Sequence, residues 1–423
     1  MRKNWLWYQM FRYPMVGFGL RLFYRKIKIT NRENVPADKP VLFVPNHQNS
    51  FMDALLVVTQ VRHFIYFLTR AQAFNPPIMA KFLRSLNMLP VYRVRDGISS
   101  VTKNNAIFDE CISYLKRNDA VLIFAEANHA HKRRVRPLSK GFTRIAFDAE
   151  VKTNWEMDLK VIPVGLNYTE HRNSRNDVNI VFGEPIDMKE YKELFEEDER
   201  AATEDLKSKV SEGMKKTIMH VEDMEHYPLH HILLDDLETD PSNYIQPEIV
   251  NKNVAIIEEK AEEADFETAR EVKQIADKHG IRIKTFFANK KNWLKYVILS
   301  PVYAFSWINN IIPYQPARWL VANKIKDHVF DVSIKFVVGL LIFPLFWLIV
   351  SLILLVAGFG WKVSLGYFLA SAVTSVFFKD ANVLFRERRE RKEFREFERQ
   401  YPDEFQSFVN GIKKLNELRS QIL

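Results

Sequence analysis

The chain has a single cysteine, Cys111, in 423 residues, so no intramolecular disulfide can brace it. Cys111 falls on an apolar-periodic stretch with Ile107, Ile112 and Leu115 and reads as core. There is no internal repeat, no low-complexity tract and no glycine-rich phosphate loop, which sets aside repeat architectures and P-loop or dinucleotide sites. Full metal-ligand sets are missing as well. His230-His231 lie near Asp235 and Asp236, and His129 and His131 flank Ala130, but neither group is complete. No metal and no bound cofactor are expected. The N-terminus lacks a long uncharged core and a small-residue cleavage site, so no cleavable signal is expected.

A formal charge of +9 can mean nucleic acid. No nucleic-acid module is recognisable, and much of the basic excess lies beside apolar segments, which suits anionic lipid instead. In residues 1–29, Trp5, Trp7, Tyr8, Phe11, Phe18, Leu20, Leu22 and Phe23 are interrupted by Arg12 and Arg21. This pattern predicts a helix lying in the membrane interface, aromatics down and arginines up. The competing reading is an ordinary helix packed on the following domain. Phe336 to Gly360 carries no charge. At about 1.5 Å per residue it can cross a hydrocarbon core of about 30 Å. Val363 to Phe378 is a shorter apolar return, after a tight hairpin at 360–363. Basic residues flank the pair on both sides: Arg318, Lys324, Lys326 and Lys335 before, and Lys379, Arg386, Arg388, Arg389, Arg391 and Lys392 after. Both flanks then stay cytoplasmic.

The chemistry is concentrated near the N-terminus. Val41-Leu42-Phe43-Val44 reads as a buried strand and Phe51 to Gln60 as a helix. Between them stands Pro45-Asn46-His47-Gln48-Asn49-Ser50. Ser50 is a candidate N-cap and Asp53 takes the acidic position of a capping box. Residues six apart on one helix lie about 240° around the axis and cannot meet. His47 and Asp53 touch only if His47 lies off the helix and folds back over its first turn. Asp53 would then fix the imidazole tautomer and leave the other nitrogen as a general base. On the bland reading Asp53 only caps and His47 is a loop histidine.

Further blocks follow in order: Phe67-Leu68-Thr69-Arg70, Leu89 to Arg95, Val121 to Glu126, Lys140-Gly141-Phe142 and Val161 to Gly165. With the His-x5-Asp opening, residues 30 to 190 resemble the glycerolipid acyltransferase family, which acylates glycerol-3-phosphate or lysophosphatidate. The resemblance implies His47 as base, Asp53 as its orienting carboxylate, Arg93 as an acceptor-phosphate contact, Glu126 as the glutamate of the third block and Pro163 as the proline of the last. It also implies an acyl thioester donor, acyl-CoA or acyl carrier protein. Two departures stand out. The family usually spaces His and Asp by four residues, although a subset resembling the fungal glycerol-3-phosphate acyltransferases carries the longer form. The family's Gly-Thr-Arg triplet is replaced by Ala127-Asn128-His129. Lys132, Arg133, Arg134 and Arg136 are the candidates to replace its arginine, against a solvated loop or a lipid-headgroup patch.

The expected fold class is α/β, a mostly parallel sheet covered by helices, with an N-terminal interfacial helix and a C-terminal transmembrane helical hairpin. The expected organisation is an interfacial helix over 1–29 and an acyltransferase domain over 30–221. An irregular segment with a charged amphipathic helix follows over 222–291. A membrane region occupies 292–379, with 296–313 interfacial or re-entrant and helices at 336–360 and 363–378. A basic and acidic C-terminal helix spans 380–423. A membrane-bound O-acyltransferase is the reading, its active site facing the cytoplasm and its partners the bilayer, the thioester donor and a phosphorylated glycerol acceptor. An acyltransferase for another lysolipid or an amino-acid lipid, and a non-catalytic lipid-binding relative, remain the alternatives.

Overall fold

Every residue of Val41–Pro45 is buried, as continuous apolar runs are when both faces of a parallel sheet are covered. This strand, β2, is central in the sheet of the computed structural model of the protein. The structure describes residues 5–92, 98–126, 132–171, 174–238, 240, 243, 245–287, 297–325 and 330–423. The chain forms two compact units, one of residues 1–171 and 177–220 and the other of residues 172–176 and 221–423.

In the first unit the strands are β1 (Lys26–Thr30), β2, β3 (Ile65–Arg70), β4 (Met88–Val91), β5 (Ala120–Leu122), β6 (Lys160–Tyr168), β7 (Asp177–Phe182) and β8 (Ile186–Asp187). Their order is β1-β7-β6-β2-β5-β3-β4, with β8 on β6. The run β6-β2-β5-β3-β4 is parallel throughout, while β7 meets β6 antiparallel. The mostly parallel α/β sheet expected from the sequence is therefore the fold. Helices α3 (Phe51–Gln60), α5 (Ile98–Leu115), α6 (Gly141–Val151) and α8 (Glu199–Thr217) connect or cover the strands. Gly165 on β6 is a close-approach point. A Cβ there would collide with the Thr217 carbonyl oxygen, at the end of α8.

The N-terminal stretch differs from expectation. It is helical from Trp5 to Phe23 through α1 (Trp5–Met10), a π-helical turn (Phe11–Gly17) and α2 (Phe18–Phe23), and β1 already occupies part of the span assigned to an interfacial helix. Tyr8, Val16, Leu20 and Phe23 are buried, whereas Trp5, Leu6, Trp7, Met10, Tyr13 and Phe18 are exposed. Arg12 does not point outward. It is buried and donates to the carbonyls of His63 (2.8 Å) and Val61, because the end of α3 leaves carbonyls without helical partners.

In the second unit the charged amphipathic helix expected within 222–291 is two helices, Pro247–Lys260 and Glu263–His279. Ala261 is extended and Glu262 starts the second helix in a capping box with Asp265. The segment expected to be interfacial or re-entrant, 296–313, is helical over its described residues from Ser300. From Ser300 to Lys324 it is one helix, with Pro301 in the first turn where its missing N–H costs nothing. Two stretches, Asp331–Phe359 and Trp361–Gln400, are long and apolar enough to cross a membrane. At their junction Gly358 and Gly360 adopt φ of 87° and 82°, values that favour glycine. The second helix does not stop at 378. Ladders such as Arg389–Glu393 and Lys392–Glu396 carry it on to Gln400. Pro402 then begins a separate helix, Pro402–Ile422.

Candidate active site

Strand order places the candidate residues side by side. Strands β6, β2 and β5 are parallel neighbours. Tyr168 ends β6, His47 follows β2 and Glu126 follows β5. All three sit at the carboxyl edge of the sheet, where α/β proteins form their crevices.

Asn46 turns the chain out of β2. Its backbone N–H donates to Val164, and its side chain continues the ladder against Leu166, accepting at 2.7 Å and donating at 3.3 Å. Ser50 then adopts φ 47°, ψ −125°, and α3 begins. Here the capping expectation needs correction, because the Ser50 hydroxyl makes no cap hydrogen bond. The carboxylate of Asp53 reaches back past Ser50 instead. Its Oδ2 accepts from the backbone N–H of Gln48 (2.9 Å) and of Asn49 (2.8 Å), as well as from the His47 ring.

His47 Nδ1 lies 2.8 Å from Asp53 Oδ2. The imidazole thus lies off the helix and folds over its first turn, as the spacing requires. A carboxylate only accepts, so Nδ1 carries the proton and Nε2 the lone pair. The ring stacks on Phe124, with centroids 4.0 Å apart and planes 18° apart. Asp53 is fully buried, and the His47 side chain is 16% exposed. Tyr168 donates its hydroxyl to Asp53 Oδ1 at 2.5 Å. Burial, and then the Asp53 charge, hold the Tyr168 phenol well above its ordinary pKa, so it remains a donor. Tyr24, fully buried next to it, is raised for the same two reasons.

Glu126 ties two loops together. It accepts the His47 backbone N–H on Oε2 (2.8 Å) and the Arg136 backbone N–H on Oε1 (2.9 Å). The Arg136 guanidinium pairs with the same carboxylate at 2.9 Å and reaches the His47 carbonyl at 3.3 Å. Arg133 is buried and donates to the Tyr168 carbonyl at 2.8 Å. Lys132 is exposed, and its carbonyl accepts from Gln48 at 3.5 Å. Arg134 is half-buried, and its side chain has no hydrogen bond or ion pair among the described residues. The structure therefore gathers His47, Asp53, Glu126, Arg133 and Arg136 into one bonded group and leaves Arg134 beside it. Arg93, the replaced triplet Ala127-Asn128-His129 and His131 lie outside the described residues. Sequence reasoning missed Asn46, Phe124 and Tyr168. The polar pair Asn167-Tyr168 ending the apolar run Val161 to Leu166 was the available signal.

The same face of α3 that starts at Phe51 continues through Leu55, Val58 and Thr59 into an apolar cavity shared with Tyr8, Val16, Phe67 and Met88. Its volume, ≈ 20 Å³, is room for about one water molecule. It does not accommodate an acyl chain without movement.

Residues 26–167 match the family model described as Acyltransferase, a span that runs from β1 to one residue short of Tyr168. The acyltransferase part of the resemblance drawn from the sequence motifs thus stands over that segment. No curated protein matches the chain. A solved structure, the 1-acyl-sn-glycerophosphate (LPA) acyltransferase PlsC from Thermotoga maritima, is similar over 50% of this chain and 83% of its own, at 23% identity and a TM-score of 0.34. That score is too low for the likeness to bear on function.

Proposed function

We propose, with the acyltransferase match over residues 26–167 as the premise, that this chain transfers a fatty acyl group from a thioester to a lipid-forming alcohol at a membrane. The donor is acyl-CoA or acyl carrier protein, and the acceptor is glycerol-3-phosphate or lysophosphatidate. The observation that carries the reading is the 2.8 Å contact of His47 Nδ1 with a fully buried carboxylate, which presents Nε2 as a base.

The chemistry follows from that contact. An alcohol is far too weak an acid to ionise at neutral pH. His47 Nε2 takes its proton as the oxygen adds to the thioester carbonyl carbon. The tetrahedral adduct then expels the thiolate, which recovers the proton from the imidazolium. Asp53 keeps its own charge throughout and stabilises the imidazolium. Base catalysis of this kind supplies about 10²- to 10⁴-fold, and positioning supplies more. No covalent acyl-enzyme is needed. The acceptor phosphate calls for guanidinium or ammonium donors. Arg134, with Arg93 and Lys132, takes that role in this reading. Arg133 and Arg136 are already bonded to the protein and hold the loop that carries Arg134.

In this reading the apolar helices Asp331–Phe359 and Trp361–Gln400 anchor the enzyme, and their basic flanks support an active site on the cytoplasmic side. The exposed apolar side chains of α1 and α2 lie in the interface. The test is a panel of glycerol-3-phosphate, lysophosphatidate and neutral lysolipids, each with acyl-CoA and acyl carrier protein, on the purified full chain in vesicles. Transfer restricted to phosphorylated acceptors is expected, falling at least tenfold in Arg134→Ala through a raised acceptor KM. Equal transfer to unphosphorylated acceptors contradicts the assignment.

A further inference from the structure

We propose that Tyr168 is a positioning residue of the base: it donates its hydroxyl to the Asp53 oxygen that His47 does not use, and so sets both the orientation of the carboxylate and the basicity of the imidazole. This inference rests on the acyl-transfer reading of His47.

The geometry is specific. Asp53 Oδ2 is crowded by three donors, His47 Nδ1 and the backbone N–H groups of Gln48 and Asn49. The other oxygen, Oδ1, has Tyr168 as its partner among the described residues. The carboxylate is fully buried, so no solvent substitutes for that donor. Without it the carboxylate would be held at one oxygen only and could rock about its Cβ–Cγ bond, carrying the imidazole with it. Tyr168 is itself pinned at both ends. Its carbonyl accepts from Arg133 at 2.8 Å, and its fully buried ring sits 5.3 Å from that of His171 and 6.3 Å from that of Tyr24. A line of bonds therefore runs from the basic loop at Arg133 through Tyr168 and Asp53 to His47. Burial keeps the phenol protonated, so it donates across the working pH range.

The direction of the effect follows. A hydrogen bond into Oδ1 draws charge away from the oxygen that faces His47. Removing it concentrates charge on Oδ2, holds the imidazolium more tightly and raises the pH at which His47 becomes a base. Tyr24 provides the internal control. Its hydroxyl is buried close by without a hydrogen-bond partner among the described residues.

The experiment compares Tyr168→Phe, Tyr24→Phe and His47→Ala in the full-length enzyme in vesicles, reading kcat, acceptor KM and the acid limb of kcat/KM against pH. Tyr168→Phe is expected to lose about tenfold in kcat, the size of one hydrogen bond to a charged group. Acceptor KM should stay nearly constant, and the acid limb should move up by about half a unit or more. Tyr24→Phe should leave the limb in place. A second variant carries 3,5-difluorotyrosine at 168, a stronger donor of nearly the same shape, and should move the limb the other way. An unmoved limb in both Tyr168 variants overturns the inference, whether or not Tyr168→Phe folds less well. Loss of activity in His47→Ala with that result leaves the acyl-transfer reading standing. Retained activity in His47→Ala defeats the reading itself.

Discussion

Both units hold histidines against carboxylates, and one pair from each is buried in opposite senses. In the first unit His47 meets Asp53 at 2.8 Å, with the carboxylate 0% exposed and the imidazole 16%. In the second, His230 meets Glu258 at 2.6 Å, with the imidazole 0% exposed and the carboxylate 37%. The distances hardly differ, but the chemistry open to each pair does. A buried carboxylate behind a ring that reaches the surface orients a base toward a substrate. A buried ring behind a surface carboxylate has no route to one. His230 and His226 instead pin the segment Tyr227–His231 to the helix Pro247–Lys260 through the two oxygens of Glu258. Separation alone does not distinguish these two pairs; which partner faces outward does.

Exchanging the chemistry of one pair should break that contrast most sharply. Asp53→Asn replaces an acceptor-only group by one that must also donate, and favours the wrong tautomer of His47. A loss of 10²- to 10⁴-fold in kcat is expected, about 3–5 kcal/mol in the barrier, read by acyl-transfer kinetics. His230→Ala should leave kcat within about twofold. It should destabilise the protein by about 2 kcal/mol, through a cavity and a lost buried hydrogen bond, seen in thermal melting. Glu126→Gln keeps an acceptor for the His47 N–H but loses the ion pair with Arg136, and about a tenfold drop in kcat/KM is expected.

The smallest effect is on pH dependence. Burial lowers the His230 pKa from its ordinary value. Burial alone would raise that of Glu258, but hydrogen bonds from His230 and His226 bring it below the ordinary value. Both shifts have the same sign for stability. The unfolded chain takes up protons first, at His230 below about pH 6.5 and at Glu258 below about 4.5, so stability falls as pH falls through each range. Melting temperature measured from pH 7.5 to 5.5 should decline, and His230→Ala should flatten that decline. A melting temperature that rises on acidification contradicts this account of the second pair.

Much of the first unit was legible because its signals are local. The buried run Val41 to Val44 and the helix Phe51 to Gln60 follow from apolar patterning, while helix geometry set only the condition for a His47–Asp53 contact, that His47 lie off the helix. The Tyr168–Asp53 contact was not legible, since the two meet only after β6 has been laid beside β2 across 115 residues of chain. Arg12 misled because an arginine between aromatics reads as solvent-facing, whereas the free carbonyls after α3 draw it inward. The second unit misled at its helix boundaries. The break at Ala261 and Glu262 lies inside a charged periodic stretch, and the run to Gln400 continues on ion pairs past the apolar segment. In each case a capping or side-chain pairing term decided where a helix ended, and apolar patterning does not record it.

The most direct measurement is acyl transfer by purified His47→Ala in vesicles, beside wild type, with melting temperature and vesicle binding as controls. Transfer to a phosphorylated glycerol acceptor should fall to a few per cent of wild type or less, with both controls unchanged. A variant that stays folded and bound and still transfers at a rate near wild type would contradict the assignment of this imidazole as the base.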